Sequence, residues 1–174
     1  MSEYTLKMIF NLEADKCGVI NTAQLRNLLI MEKQKRFDQM LINDLVDEFG
    51  SNGFVDYDQF RRLWLYLGSV REPFEYYARD GELSERKFGK LLANQLDTYI
   101  HKITVKSMVN FYKGRLTFDA CVHALKHLGK VKNYCLQSNY ITLEDYRQLV
   151  HTQSVQPTAP LEDNLPSYDE VMSW

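Results

Sequence analysis

Apolar residues recur at helical spacing through most of the chain. One face of residues 38–49 collects four apolar side chains: Leu41, Leu45, Val46 and Phe49. Residues three or four apart lie on the same side of a helix, so this spacing predicts an amphipathic helix. Residues 86–96 and 105–112 repeat the pattern. Strict alternation with a period of two residues is confined to a few positions, and we therefore expect a mainly helical body.

A short pattern occurs five times along this helical body. It reads Gly or Asn, any residue, an aliphatic residue, a small polar residue, three further residues and an apolar residue. The copies span residues 18–25, 53–60, 81–88, 114–121 and 139–146. Gly or Asn tolerates the positive φ of a sharp turn, and the small polar side chain can cap the next helix. Each copy thus predicts a helix, a tight loop, a β-bridge residue and a second helix.

The positions of this pattern are chemically consistent. The aliphatic positions, which can form short β-bridges, are Ile20, Val55, Leu83, Leu116 and Ile141. The capping positions are Asn21, Asp56, Ser84, Thr117 and Thr142. In the first two copies Gln24 and Gln59 follow three residues after the cap, as in a capping box. Five copies in register favour EF-hand geometry over five unrelated capped helices.

Residues 54–64, which read Phe-Val-Asp-Tyr-Asp-Gln-Phe-Arg-Arg-Leu-Trp, resemble the second hand of the penta-EF-hand family. That family includes sorcin, grancalcin and the calpain small subunit. Residues 74–84, 111–119 and 139–146 resemble its third, fourth and fifth hands, in order. The resemblance implies an all-α, EF-hand-like fold of five helix–loop–helix units, with short β-bridges between paired loops. We expect a penta-EF-hand-like domain over residues 1–151 and a separate tail over residues 152–174.

The calcium loops depart from the family pattern. Ca²⁺ takes about six to eight oxygen ligands, including a bidentate Glu at loop position 12. Counted from the aliphatic residue at position 8, position 12 is Gln24, Gln59, Lys87, Ala120 and Asp145. The second, third and fourth loops are also shortened where the first ligands should lie. These changes predict degenerate loops and no bound cofactor.

The first loop is the remaining candidate for calcium. It keeps a full span and presents weak candidate ligands at positions 1, 3, 9 and 12: Glu13, Asp15, Asn21 and Gln24. Cys17 at position 5 is a soft ligand, poorly suited to a hard cation. A single weak calcium site in this loop is therefore the alternative to a chain without calcium.

Five hands leave one loop without a partner inside the chain. In the family that this chain resembles, the fifth hand pairs with its counterpart in another chain. We expect either a homodimer or a heterodimer with a related EF-hand chain. The predicted interface residues are Leu136, Tyr140, Ile141, Tyr146, Leu149 and Val150. The alternative is that the fifth loop folds back on its own domain.

The last 23 residues differ in composition from the rest. Residues 152–174 hold three of the four prolines and four acidic residues but no Lys or Arg, so their charge is −4 and the remainder sums to +2. Residues 165–168, Leu165-Pro166-Ser167-Tyr168, are similar to WW-domain ligands, in which Pro presets an extended segment. Tyr168 and Val171 also fit a Tyr-x-x-apolar motif read by trafficking adaptors. The alternatives are a solubilising acidic tail and a tail that packs on its own body.

Composition argues against nucleic-acid-binding, disulfide-rich and membrane-spanning proteins. A net charge of −2 does not favour nucleic acid, three cysteines do not form a disulfide framework, and no apolar run approaches the roughly 18 residues of a membrane span. We expect a cytoplasmic protein without a transmembrane segment or a signal peptide, with a peripheral position at membranes as an alternative.

Enzyme chemistry finds little support in the sequence. Cys121 and His123 face different sides of a helix and cannot pair as nucleophile and base. His123 and His127 share a face and could ligate a metal, but Lys126 and Lys130 on the same helix favour a solvent-facing position.

The sequence therefore predicts a calcium-independent protein-interaction or adaptor module that is not an enzyme. It would dimerise through the fifth hand and recruit partners through surface grooves and the tail. The alternatives are a calcium sensor with one atypical site in the first loop and a regulatory subunit of a calpain-like protease.

Overall fold

The computed structural model describes residues 1–31, 37–135 and 140–152. Within them the chain forms eight helices and two short strands. In chain order these are α1 (Glu3–Glu13), β1 (Val19–Asn21), α2 (Thr22–Met31), α3 (Gln39–Phe49), β2 (Phe54–Asp56), α4 (Tyr57–Tyr77), α5 (Glu85–Leu96), α6 (Lys102–Phe111), α7 (Phe118–Cys135) and α8 (Leu143–His151). The predicted all-α architecture is confirmed.

Eight helices make five helix–loop–helix units because two long helices are shared. The first unit is α1 with α2, and the second is α3 with α4. Helix α4 also enters the third unit, which ends in α5. The fourth unit is α6 with α7, and α7 continues into the fifth unit with α8. The first four aligned segments of the sequence lie at the corresponding helix–loop–helix junctions, and residues 140–146 of the fifth lead into α8.

The junctions form where the sequence pattern places them. A glycine with φ between 74° and 80° occupies the turn in the first four units: Gly18, Gly53, Gly81 and Gly114. This region of φ is costly for residues with a Cβ atom, which explains the glycine. All five predicted caps accept a hydrogen bond from the backbone N–H three residues later: Asn21, Asp56, Ser84, Thr117 and Thr142.

A proline lies inside α4 without ending the helix. Pro73 has no N–H, so the carbonyl of Ser69, four residues earlier, loses its helical donor. The side chain of Gln95 on α5 replaces that donor, since its Nε2 lies 3.1 Å from the Ser69 oxygen. This contact holds α5 against the middle of α4.

The loops pair through backbone contacts at the aliphatic positions. In the first two units β1 and β2 form an antiparallel ladder in which Ile20 lies opposite Val55. In the third and fourth units the Leu83 N–H donates to the Leu116 oxygen at 2.9 Å. All four aliphatic side chains are buried in one apolar cluster that includes residues from every described helix. The predicted pairing of the first four hands is confirmed.

No helix of the described ranges is both long enough and apolar enough to cross a lipid bilayer.

Candidate functional site

The second and third loops close as tight hairpin turns. Asn52 and Gly53 both have positive φ, at 54° and 79°. Ser51 and Phe54, on either side of them, exchange two backbone hydrogen bonds of 2.8 and 3.0 Å. Residues 79–82 repeat this arrangement with bonds of 2.9 and 3.1 Å. Two consecutive positive φ values define the two-residue turn that joins antiparallel strands. The backbone therefore reverses direction within two residues, where a calcium loop would wrap around a cation.

The first loop is longer, and its carboxylates bond to the protein. Asp15 Oδ1 accepts from the backbone N–H groups of Cys17 and Val19 at 2.8 and 3.2 Å. Asn27 Nδ2 donates to Glu13 Oε2 at 3.2 Å. Asp15 thus organises the turn itself, and Glu13 is held by the following helix.

Position 12 of the first loop directs a hydrogen-bond donor toward the loop. Gln24 Oε1 accepts from the Asn21 N–H at 2.8 Å. A backbone N–H can only donate, so the oxygen of the Gln24 amide must lie on that side. The opposite end, Nε2, donates to the Glu13 carbonyl oxygen at 2.5 Å. The amide therefore links the start of the loop to the next helix, which is the connection that a bidentate Glu makes through Ca²⁺.

In the second loop the amide of Gln59 makes the equivalent pair of hydrogen bonds. Gln59 Oε1 accepts from the Asp56 N–H at 2.9 Å, which again fixes the orientation of the amide. Gln59 Nε2 donates to Ser51 Oγ at 2.9 Å. The sequence predicted the capping boxes of Gln24 and Gln59, but the bonds from Nε2 across the loops depend on tertiary structure.

Position 12 of the third loop carries a cation of its own. The Lys87 ammonium lies 4.4 Å from the centre of the Tyr77 ring, at the end of α4. Since Lys87 belongs to α5, this cation–π contact joins the two helices of the unit. In the fifth unit Asp145 accepts from the Thr142 N–H at 3.0 Å, which makes a third capping box that the sequence pattern did not predict.

The fourth and fifth units are joined by a buried phenol pair. The Tyr112 and Tyr146 hydroxyl oxygens lie 2.7 Å apart, and Tyr146 is fully buried. Burial raises the pKa of both phenols, and the neighbouring Tyr146 raises the pKa of Tyr112 further. Both side chains are therefore neutral and act as hydrogen-bonding groups across α6 and α8.

This packing corrects the expectation of an open apolar face on the fifth hand. Ile141, Tyr146 and Val150 are all buried within their own chain. The Ile141 N–H donates to Thr104 Oγ1 on α6 at 2.9 Å, so this edge has an internal partner. Tyr140 and Leu149 are half-buried, and Leu136 lies outside the described residues. The fold favours the alternative in which the fifth hand packs on its own domain, while dimerisation stays a prediction.

The expectation that His123 and His127 face solvent is wrong. His127 has 3% of its surface exposed, and His123 is half-buried. Their helix, α7, lies in the interior because it packs against α4 and α5 and serves two units. The spacing of the two histidines correctly predicted that they share a helix face. The nearby lysines led to the wrong prediction that this face is exposed to solvent. Lys126 is itself buried, and its ammonium donates to the Asp44 carbonyl oxygen at 2.6 Å.

The tail motif, Leu165, Pro166, Ser167, Tyr168 and Val171, lies outside the described residues. Its interpretation stays a prediction.

An apolar stripe stays exposed on α1. Tyr4, Met8 and Leu12 expose 76%, 55% and 67% of their surface, and their spacing of four residues places them on one face. Exposed apolar side chains that are contiguous in this way are typical of interaction surfaces.

Comparison with solved structures supports the fold. The chain superposes on a homolog of programmed cell death 6 protein from Leishmania major Friedlin with a TM-score of 0.54 and 17% sequence identity. The superposition covers 78% of this chain and 81% of that one. At this identity the likeness shows the fold alone. The paired loops and the solved structure together define an EF-hand-like fold.

No family model matches the sequence, and no curated protein does.

Proposed function

We propose that this chain is a calcium-independent protein-interaction module built on a degenerate penta-EF-hand scaffold, and that it is not an enzyme. The observation that carries the proposal is the chemistry at position 12 of the first two loops. Gln24 and Gln59 each turn an amide N–H toward loop oxygens that would otherwise be free to bind a cation. A donor at this point competes with Ca²⁺, which requires oxygen acceptors.

The other loops add to this argument. Lys87 brings a positive charge to position 12, and Ala120 offers no ligand atom there. The hairpin turns at residues 51–54 and 79–82 replace the stretch that would carry the first ligands. The residues present therefore do not fit a cation that takes six to eight oxygens.

The interaction role is supported by surfaces instead of by a reactive site. The exposed stripe of Tyr4, Met8 and Leu12 offers apolar contact area. The tail supplies the short motif at residues 165–168, for which a WW domain is the partner class of matching chemistry.

Thermal unfolding with excess CaCl₂ or EGTA tests calcium independence. A ligand that binds only the folded state adds about 2.7 kcal/mol when its free concentration is 100 times its Kd. For a chain of this length that corresponds to a rise in Tm of roughly 5 °C or more. We expect the same Tm in both solutions. A rise in CaCl₂ that Asp15→Asn removes would instead support the sensor with one site in the first loop.

A purified WW domain tests the tail. We expect the full chain to bind it and the Tyr168→Ala variant to lose that binding. Tyr99→Ala, which removes an exposed tyrosine of the body, should bind as the unmodified chain does. Equal binding by the Tyr168→Ala variant would remove the WW interpretation.

A further inference from the structure

A cluster of metal-ligating side chains lies between α3 and α7, away from the EF-type loops. Asp44 on α3 faces His123 and His127, which lie one turn apart on α7. One ligand atom from each of the three side chains can be chosen so that all lie within 4.8 Å of one another. The two imidazole rings have centroids 4.4 Å apart.

The imidazole of His127 has an unexplained environment. The ring is 3% exposed, and among the described residues neither Nδ1 nor Nε2 has a hydrogen-bond partner. Its Nε2 lies 3.6 Å from Asp44 Oδ2, which is beyond hydrogen-bonding distance. A buried polar group without a partner carries a cost in free energy, because it has given up its hydrogen bonds to water. A ligand between His127 and Asp44 would remove that cost.

The second imidazole is already oriented by the protein. His123 Nδ1 lies 2.7 Å from the Tyr112 hydroxyl oxygen, which lies 2.7 Å from the Tyr146 hydroxyl oxygen. If Tyr112 donates to Tyr146, it accepts the His123 Nδ1–H, and the lone pair of Nε2 is then free. Metal-binding histidines commonly donate their other ring N–H to an oxygen in this way.

The two oxygens of the Asp44 carboxylate face different side chains. Lys126 Nζ lies 3.3 Å from Oδ1 and donates to the Asp44 carbonyl oxygen, whereas Oδ2 faces His127. Lys126 thus holds one oxygen of the carboxylate, and the other oxygen faces the His127 imidazole.

Burial keeps both histidines neutral, which is the form that binds metals. It lowers the pKa of His127 to about 4, with His123 as a further cause, and it also lowers the pKa of His123.

We propose that Asp44, His123 and His127 form a binding site for a divalent transition-metal ion, with Zn²⁺ as the best match. Two imidazole nitrogens and one carboxylate oxygen suit Zn²⁺ and do not suit Ca²⁺, which takes oxygen ligands. Zn²⁺ binds these atoms at about 2.0–2.2 Å, so the side chains must close in by about 1 Å. Water would complete the tetrahedral coordination.

Isothermal titration of the metal-stripped full chain with ZnCl₂ tests the site. We expect one Zn²⁺ per chain and no competition by CaCl₂. His123→Gln, His127→Gln and Asp44→Asn should each weaken binding by more than about 100-fold, above the effect of losing an outer partner of a ligand. Tyr112→Phe removes such a partner and should weaken binding by about 10-fold.

Matched controls separate this site from other zinc ligands. His151→Gln changes an exposed histidine and should bind Zn²⁺ as the unmodified chain does. The double variant Cys17→Ser and Cys135→Ser should also retain binding. Loss of binding in the cysteine variant, or unchanged binding in His123→Gln, would overturn the proposal.

A measurement on the unmodified chain guards against variants that do not fold. One equivalent of Zn²⁺ should shift the NMR signals of the His123 and His127 rings and leave those of His101 and His151 in place. If the chain binds no Zn²⁺, or if only His101 and His151 respond, the proposal is wrong. These outcomes are independent of the calcium experiment, because the EF-type loops contain none of the three proposed ligands.

Discussion

The first two hands and the last three hold their loops together by different chemistry. In the first two, a strand ladder centred on Ile20 and Val55 pairs the loops, and the amides of Gln24 and Gln59 close them. In the last three, one backbone bond from Leu83 to Leu116 pairs two loops, and aromatic and cationic side chains add contacts between the helices. The comparison shows that an EF-type framework can hold its loops together by more than one kind of internal contact.

The shared core should make both regions one cooperative unit. Phe60 on α4 and Phe88 on α5 are both fully buried in the same apolar cluster. We expect Phe60→Ala and Phe88→Ala each to lower the free energy of unfolding by about 3–5 kcal/mol. Urea unfolding, followed by circular dichroism and by tryptophan fluorescence, measures both values. Two separate transitions in either variant would show that the two regions unfold independently.

Replacing the amide donors of the first two loops by acceptors should lower the free energy of unfolding by less than the core substitutions do. Gln24→Glu and Gln59→Glu replace an N–H by an oxygen that faces the Glu13 carbonyl or Ser51 Oγ. We expect each to lower the free energy of unfolding by about 1–2 kcal/mol in EGTA, because a bond is lost and acceptors are brought together. Urea unfolding measures the change. Gln148→Glu, on the exposed face of α8, is the control and should change little.

The contact between the two regions should depend on pH through Asp119. Its Oδ2 accepts from the Asp38 N–H at 3.2 Å, which ties α7 to the start of α3. Burial is the main cause that raises the pKa of Asp119 from 3.8 to about 6, and the Asp38 charge raises it further. The folded chain therefore holds this proton up to about pH 6, whereas the unfolded chain loses it near pH 3.8. The stability contribution is present below pH 3.8 and is lost as the pH rises to 6.

The Asp119→Asn variant isolates this contribution. It should be more stable than the unmodified chain by about 1 kcal/mol at pH 7, and the difference should vanish near pH 4. Urea midpoints measured between pH 4 and 7 give the comparison. A constant difference over that range would contradict the raised pKa.

The cation–π contact of the third hand should give the smallest effect. Lys87→Met keeps an unbranched side chain but removes the ammonium above Tyr77. We expect a loss of about 0.5–1 kcal/mol, measured by urea unfolding. Lys106→Met, on the exposed side of α6, serves as the control. Equal values for the two variants would mean that Lys87 does not stabilise the third loop.

The sequence by itself determined the local parts of this protein. Turns and caps involve residues within four positions of one another, so the Gly pattern and the capping residues such as Asp56 could be read directly. The repeat of these units then indicated the number of hands and the pairing of the first four. The same local pattern predicted degenerate calcium loops, since position 12 is fixed by counting.

Tertiary structure decided which distant groups meet. Asp44 and His127 are 83 residues apart, and Tyr112 and Tyr146 are 34 apart, so their contacts depend on how helices cross. The fifth hand shows the same limit, because Tyr146 could face a partner or its own core with an identical sequence pattern. Amphipathic spacing tells which face of a helix is apolar, but only the packed fold tells what covers it.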